Sequence, residues 1–327
     1  MAKKFKTKIT EMLDIEHPIL CGGMQWLSRA EFVAEVCNAG ALGFITAETF
    51  PTAEDLREEL RKMKTLTDRP FGVNISMIPE MGNIPERTMK FVDVVCDEGV
   101  SVVETAGRSP APLVPRLKEG GVKIIHKMTS VRHALSAQKA GVDAVALLGF
   151  GSGGHIGLEN VASFISLPLA VRQLDIPVVA AGAVADGRGF LGALAMGAEG
   201  VLMGTRFLAT DECPLGDEIK RVYVETPETN TTLIMSSILN PLRCVKNALT
   251  DDVQALEARG ASLEQIIDAV RGGRKSTGYE GVEPKKALLP CGQSIGLIEG
   301  IKPVKQVIED ILAEAEALLG RLNAMAV

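Results

Sequence analysis

No two of the six cysteines (Cys21, Cys37, Cys96, Cys213, Cys244, Cys291) stand closer than 16 residues. There is thus no CxxC and no metal-knuckle spacing, and the thiols read as reduced and mostly buried, with no metal expected. No apolar run approaches the roughly 18 residues that a membrane span requires, and no apolar segment follows the lysines at 3, 4, 6 and 8 as a secretory signal would need. The expected compartment is the cytoplasm. Basic residues are not in excess: 35 Lys and Arg against 41 Asp and Glu leave a net charge of −6. An acidic surface argues against nucleic acid or a membrane as the main partner and in favour of a small-molecule substrate. Compositional extremes are missing as well. With 46% hydrophobic and 23% charged residues, disorder, collagen-like repeats and a disulfide scaffold are excluded.

What is present is glycine, 33 residues of it, in a recurrent arrangement. A helix-like segment ends in Gly and a β-branched apolar run follows at once: AGALGFIT around Gly40, EGVSVVET around Gly99, GGVKIIHK around Gly121, AGVDAVALL around Gly141 and GAEGVLMGT around Gly197. Glycine past a helix supplies the left-handed cap, and a short apolar run after it fits a strand buried on both faces. Further strands are expected at Ile19–Cys21, Phe71–Asn74 and Pro177–Ala180, which makes eight. Thr52 with Asp55, and Ser130, are the expected helix caps. Eight β/α units in 327 residues, with no polar edge strand, predict an α/β fold closed as a TIM (β/α)8 barrel rather than an open doubly wound sheet.

The rhythm stops after Phe207. Residues 208–290 show amphipathic stretches at Asp251–Arg259 and Leu263–Val270, the second with a Ser262–Gln265 capping box. The expected organisation is a barrel of residues 1–207 and 291–327, with a small helical insertion, 208–290, covering its mouth. The apolar spacing from Val304 to Leu319 predicts a closing helix packed on the barrel.

In such a barrel the chemistry sits just past the C-terminal ends of the strands. There the sequence has Gly22-Gly23-Met24-Gln25-Trp26, Asn74, Glu104-Thr105-Ala106-Gly107, His126-Lys127, the stretch Gly149 to Gly157, Gly182 and Gly204-Thr205. Gly182 with Ala183 and Gly204 with Thr205, after the last two strands, point to a phosphate held by backbone N–H groups. At negative φ, the N–H of Ala183 would still donate. Gly149-Phe150-Gly151-Ser152-Gly153-Gly154 matches GxGxxG in form, but no helix opens after it and no ribose-binding acid ends the next strand. It reads instead as room for a planar ligand beside His155, with Gly154 among the cofactor-binding residues. Ser152 is no nucleophile elbow, because Phe150 stands where GxSxG needs glycine.

Of the four histidines, His17 lies in a turn before Pro18 and His133 on a helix. His126 turns away from the mouth if its neighbour Lys127 points in. His155, flanked by glycines, is the acid/base candidate. Lys127 reads as a rim lysine or as a cation set against developing negative charge, which suits a flavin.

These residues carry a resemblance. GGMQW at 22–26, PFGVN at 70–74, VVETAG at 102–107, HK at 126–127, GGHIG at 153–157, ADGRG at 185–189 and MGTRF at 203–207 resemble, in order, the nitronate monooxygenase family, formerly 2-nitropropane dioxygenases; CGQSIGLIEG at 291–300 is similar to its C-terminal flavin-contacting segment. The resemblance implies an FMN-dependent oxidoreductase on a TIM barrel. Gly23, Met24 and Gln25 would run along the isoalloxazine ring, and Asn74 and Lys127 would bond its polar edge. Gly182, Ala183, Gly204 and Thr205 would hold the phosphate, Gln293 would close the site, and His155 would stand over the reactive face. The family oxidises alkyl nitronates with O2, or uses NADH or NADPH to reduce a quinone-like acceptor or an enoyl-acyl-carrier-protein. VRHAL at 131–135 and FLAT with ECP at 207–214 resemble the quinone-reductase branch, whereas GGHIG resembles the enoyl-reductase branch, with Leu158 where that branch is basic. The electron acceptor stays open between them. The alternative outside this family is a barrel that binds a phosphorylated metabolite without redox chemistry.

Overall fold

The computed structural model describes residues 5–77, 85–273 and 279–326. Six strands come first: β1 (Ile19–Cys21), β2 (Leu42–Thr46), β3 (Gly72–Met77), β4 (Val102–Gly107), β5 (Lys123–Met128) and β6 (Ala144–Leu148). A short strand, β7 (Gly154–His155), stays outside the barrel, and β8 (Val178–Ala181) and β9 (Gly200–Met203) complete it. All barrel pairings are parallel, and β9 returns to β1 with Leu202 opposite Leu20, so no edge is left. The expected TIM (β/α)8 barrel and its eight strands are present.

Helices fill the connections: α1 (Lys8–Leu13), α2 (Ala30–Asn38), α3 (Ala53–Leu66), α4 (Glu86–Asp97), α5 (Val114–Glu119), α6 (Val131–Ala140), α7 (Ser163–Gln173), α8 (Gly187–Ala195) and α9 (Thr205–Leu208). After them come α10 (Asp217–Glu225), α11 (Ala248–Ala258), α12 (Leu263–Gly272) and α13 (Val304–Met325). The expected caps form: Thr52 and Asp55 make a reciprocal capping box, Ser130 accepts from the His133 N–H at 3.3 Å, and Ser262 pairs with Gln265. Val304, Val307, Ile308 and Ile311 bury one face of α13, which packs against α8 and α2. None of the described helices is long and apolar enough to cross a membrane.

The segment after Phe207 differs from the helical expectation. Besides α10, α11 and α12 it contains β10 (Thr231–Ile234) and β11 (Leu242–Val245), antiparallel to each other, and β11 pairs antiparallel with β7. The strands are short and lack the Gly-then-apolar signature, because antiparallel neighbours need no crossover helix.

Alternation divides the barrel strands into two faces. Leu20, Phe44, Val102, Ile125, Val179 and Leu202 point into the barrel, where Ile9 and Leu13 of α1 pack against them from the N-terminal end. Ile45, Val73, Val103, Ile124, Val145 and Val201 point out to the helices. His126 has the outward parity. It is only 3% exposed, and its Nδ1 lies 2.9 Å from the Thr105 hydroxyl on the neighbouring strand. Burial, helped by His133 and the Lys127 ammonium nearby, pushes its pKa down from 6.5 to about 4.

His126 thus stays neutral in the folded chain while the unfolded chain takes up a proton below about pH 6.5. The stability it supports is fully present above that pH and is lost as pH falls toward about 4. Urea unfolding of His126→Asn against the parent chain should show this component, about 3 kcal/mol at most, disappearing from the variant between pH 7 and pH 4. Equal pH slopes for the two proteins would contradict the burial argument.

Candidate active site

Two residues beyond the last apolar layer, the inward face of the barrel turns polar. Asn74 on β3, Glu104 on β4 and Lys127 on β5 share it with Val102 and Ile125 by parity. Glu104 is fully buried and is the hub. Its Oε2 accepts from Asn74 Nδ2 at 2.7 Å and from the Gly23 N–H at 3.3 Å, while the Lys127 ammonium lies 2.9 Å from Oε1 as a close ionic contact. Burying one carboxylate is costly unless it is paired and hydrogen-bonded, and all three neighbours meet that demand. Gly23, Asn74 and Lys127, expected at the site from separate motifs, are therefore brought together by Glu104, to which the motifs assign no role. A signal existed: Glu104 interrupts an apolar run at an inward position, one strand away from Lys127.

On the other side of the mouth, the ends of β8 and β9 converge with two distant segments. Gly182 has φ +70° and its N–H donates to the Leu202 carbonyl at 2.9 Å; a Cβ there would run into Ser152, whose hydroxyl donates to the Ala181 carbonyl at 3.0 Å. Only glycine fits. Ala183 has φ +59°, so the expected negative φ is corrected: two successive left-handed residues form this turn, and the second is a side-chain-bearing one held in a sparsely populated region. The Gly292 N–H donates to Thr205 Oγ1 at 2.9 Å and the Gln293 N–H to the Gly151 carbonyl at 2.8 Å. The space over Gly151 is bounded by Gln293 Oε1 and Ala183, and that over Gly204 by the Met24 sulfur. The 182–183, 204–205 and 293 positions and Met24 thus face one region, and Gln25, half-buried, follows Met24 in the same loop.

Gly154 and His155 sit in β7, opposite Arg243 and Leu242 of β11. His155 is exposed. Its loop is held down by Arg243, which donates from Nη2 to the Phe150 carbonyl at 3.2 Å and lies over the Phe150 ring, 4.7 Å from its centroid. Arg243 is buried with no acidic partner on its guanidinium among the described residues, and burial lowers its pKa. It was not anticipated, because an arginine in a short strand looks like a solvated residue until the pairing with β7 is known.

The residues fit a flavin mononucleotide. Gly23 lies so close to Asn74 and Thr46 that no Cβ could be added, leaving backbone facing the mouth, and the buried Thr46 hydroxyl has no hydrogen-bond partner among the described residues. A donor–acceptor edge at Asn74, Lys127 and Thr46, opposite a glycine-lined turn at the ends of β8 and β9, matches a planar polar ring with a phosphate tail.

Because Lys127 is 18% exposed and Glu104 not at all, Glu104→Gln should destabilise the fold by about 3 kcal/mol in urea unfolding at neutral pH. Adding Lys127→Met to the same chain should recover a large part of that loss, and strictly additive losses would show that the two side chains are not coupled.

The family model described as nitronate monooxygenase matches residues 6–314. A (3aS,4S,5R,7aS)-5-hydroxy-7a-methyl-1-oxo-octahydro-1H-indene-4-carboxyl-CoA dehydrogenase of Rhodococcus jostii (strain RHA1) is 33% identical, over 98% of this chain and 98% of its own length. A probable nitronate monooxygenase of Staphylococcus saprophyticus is 32% identical, over 97% of this chain and 100% of its own. The solved structure of FabK from Thermotoga maritima superposes with a TM-score of 0.91 at 36% identity, covering 98% of this chain and 99% of that one. A nitroalkane oxidase from Streptomyces ansochromogenes, at 24% identity and a TM-score of 0.82 over 96% and 99% of the two chains, shares the fold. The chain belongs to the nitronate monooxygenase family and is an FMN-type oxidoreductase.

Proposed function

We propose that this protein holds FMN across the C-terminal mouth of the barrel and oxidises alkyl nitronates with O2, or accepts electrons from NADH or NADPH for a quinone-like acceptor. The observation that carries the cofactor reading is the buried Asn74–Glu104–Lys127 layer under the mouth. Bound FMN supplies a two-electron carrier between donor and acceptor. In this reading Lys127 and Asn74 hold the polar edge of the ring, and Gly23, Met24 and Gln25 lie along it. Gly182, its own N–H engaged by the Leu202 carbonyl, shapes the turn with Ala183 so that the phosphate can approach, and Gly204 and Thr205 take the phosphate through backbone N–H groups and the Thr205 hydroxyl, which accepts from Gly292 and retains its own proton to donate. Gln293 and Gly154 close the site. Residues 208–290 cover the mouth as an insertion, fastened there by the β7–β11 pairing.

His155 is the group that gives or takes a proton at the substrate. It is exposed, on a strand rather than in a free loop, so its backbone is fixed while its ring reaches solvent-side ligand. A second reading, oxidation or reduction of an acyl thioester, is favoured by a specific observation: the near-full-length relatives include CoA-thioester dehydrogenases at 33% and 36% identity. FabK and the alkyl-nitronate enzymes share this barrel, so the substrate, not the fold, separates the readings.

The test is anaerobic mixing of the FMN-loaded protein with NADH, NADPH, an alkyl nitronate and a crotonyl thioester, following loss of oxidised-flavin absorbance. Bleaching by the nitronate alone supports the first activity, and bleaching by NADH or NADPH followed by reoxidation with the thioester supports the second. A colourless protein that takes up no FMN overturns both. With the productive substrate, His155→Ala should keep FMN bound and lower turnover by about 10²–10⁴-fold, and undiminished turnover would remove His155 from the chemistry.

A further inference from the structure

A second carboxyl stands at the mouth, and nothing in the motifs marks it. Glu48 lies in the 3-10 turn Ala47–Thr49 that follows β2. Its Oε1 accepts the Ser76 N–H at 3.0 Å, whereas its buried Oε2 has no hydrogen-bond partner among the described residues. Ser76 then continues toward the polar layer. Its hydroxyl donates to Asn74 Oδ1 at 3.4 Å, Asn74 Nδ2 donates to Glu104 Oε2 at 2.7 Å, and Glu104 holds Lys127. One connected set of polar contacts thus runs from Glu48 through Ser76 and Asn74 to the Glu104–Lys127 pair.

We propose that Glu48 is a positioning residue that holds a proton for this site: by keeping or releasing it, Glu48 changes the charge of the polar layer that Asn74 and Lys127 present to the bound flavin. The proposal rests on the FMN reading above. It follows from charge addition. Lys127 and Glu104 cancel, so the layer is neutral with Glu48 protonated and carries one negative charge with Glu48 ionised. The described charged groups acting on Glu48 are Arg87 of α4 and Lys127 of β5, both cations that favour ionisation. Arg87 is engaged elsewhere, donating to the Phe50 carbonyl and lying over the Phe91 ring at 4.8 Å, and Lys127 is neutralised by Glu104. Burial therefore prevails over both, and the Glu48 carboxyl is pushed up to about 7. An ionised Oε2 with no donor beside it would be a buried charge without compensation, and holding the proton removes that charge. A purely structural acceptor for Ser76 would need only Oε1.

The direction of the effect is set by sign. Reduction places negative charge on the flavin ring, and an ionised Glu48 opposes it, whereas a neutral one does not. Glu48→Gln keeps an acceptor for the Ser76 N–H and removes the titration. The decisive measurement is the flavin midpoint potential of FMN-loaded parent and Glu48→Gln proteins, by reductive titration with reference dyes between about pH 5.5 and 8.5. The two potentials should coincide at the acid end and separate through neutrality, with the variant the more readily reduced at the alkaline end. Coincidence at every pH, or a constant offset, overturns the proposal. In parallel, infrared difference titration of the flavin-free proteins should show in the parent a protonated carboxyl that ionises near neutral pH and is missing from Glu48→Gln; its absence from the parent also overturns the proposal. A protein that takes up no FMN would defeat the cofactor reading and with it the effect on the flavin, while the infrared titration would decide separately whether Glu48 holds the proton.

Discussion

The ion pair between Glu104 and Lys127 is the constraint around which the mouth is arranged. A carboxylate with no solvent access inside a barrel is tolerable only with a cation and hydrogen-bond donors around it. Meeting that requirement fixes three strands and a loop against one another: Asn74 from β3, Lys127 from β5 and the backbone of Gly23 beyond β1 all close on the same two oxygens. The result is a rigid polar floor above an apolar barrel interior sealed from the other end by Ile9 and Leu13. Such a floor holds its dipoles in place before a ligand arrives, which is how electrostatic preorganisation acts at active sites.

The opposite wall of the mouth is assembled from distant chain. The glycine-rich stretch after β6 has little side-chain packing of its own, so its shape is imposed by neighbours. Arg243 from β11 clamps Phe150, the Gln293 N–H binds the Gly151 carbonyl, and Gly292 reaches Thr205 past β9. Close approach of backbone makes glycine necessary here, as at Gly153, where a Cβ would meet the backbone of Cys291 and Gly292. The segment after Phe207 and the C-terminal segment are therefore tied by hydrogen bonds to the loop after β6 and to the end of β9.

Some of the site is legible in the sequence. Glycines and single polar groups after each apolar run marked the mouth, and parity turned His126 away from it once Lys127 pointed in, as its contact with Thr105 bears out. Other parts were hidden for definite reasons. Glu48 and Arg243 matter through partners 28 and 93 residues away, at Ser76 and Phe150, and no local pattern encodes such distances. The strands β10 and β11 were missed because four-residue antiparallel strands beside a two-residue partner show neither helical periodicity nor the Gly-then-strand rhythm. The left-handed Ala183 ran against the expectation for a side-chain-bearing residue, and its conformation is dictated by the turn shared with Gly182.

The sequence by itself determined the barrel: eight buried apolar runs, five of them straight after a glycine-ended helix, with reciprocal capping boxes at Thr52 and Ser262, leave parallel closure as the arrangement that buries every strand. These signals are local, and each repeats, so they add. What only the tertiary structure decided is which polar groups meet. Glu104 becomes the hub and Glu48 a buried carboxyl with one unpartnered oxygen because strand register and barrel closure place them beside Asn74, Lys127 and Ser76. Electrostatic environment depends on distance and burial in space, and neither is written in the order of the residues.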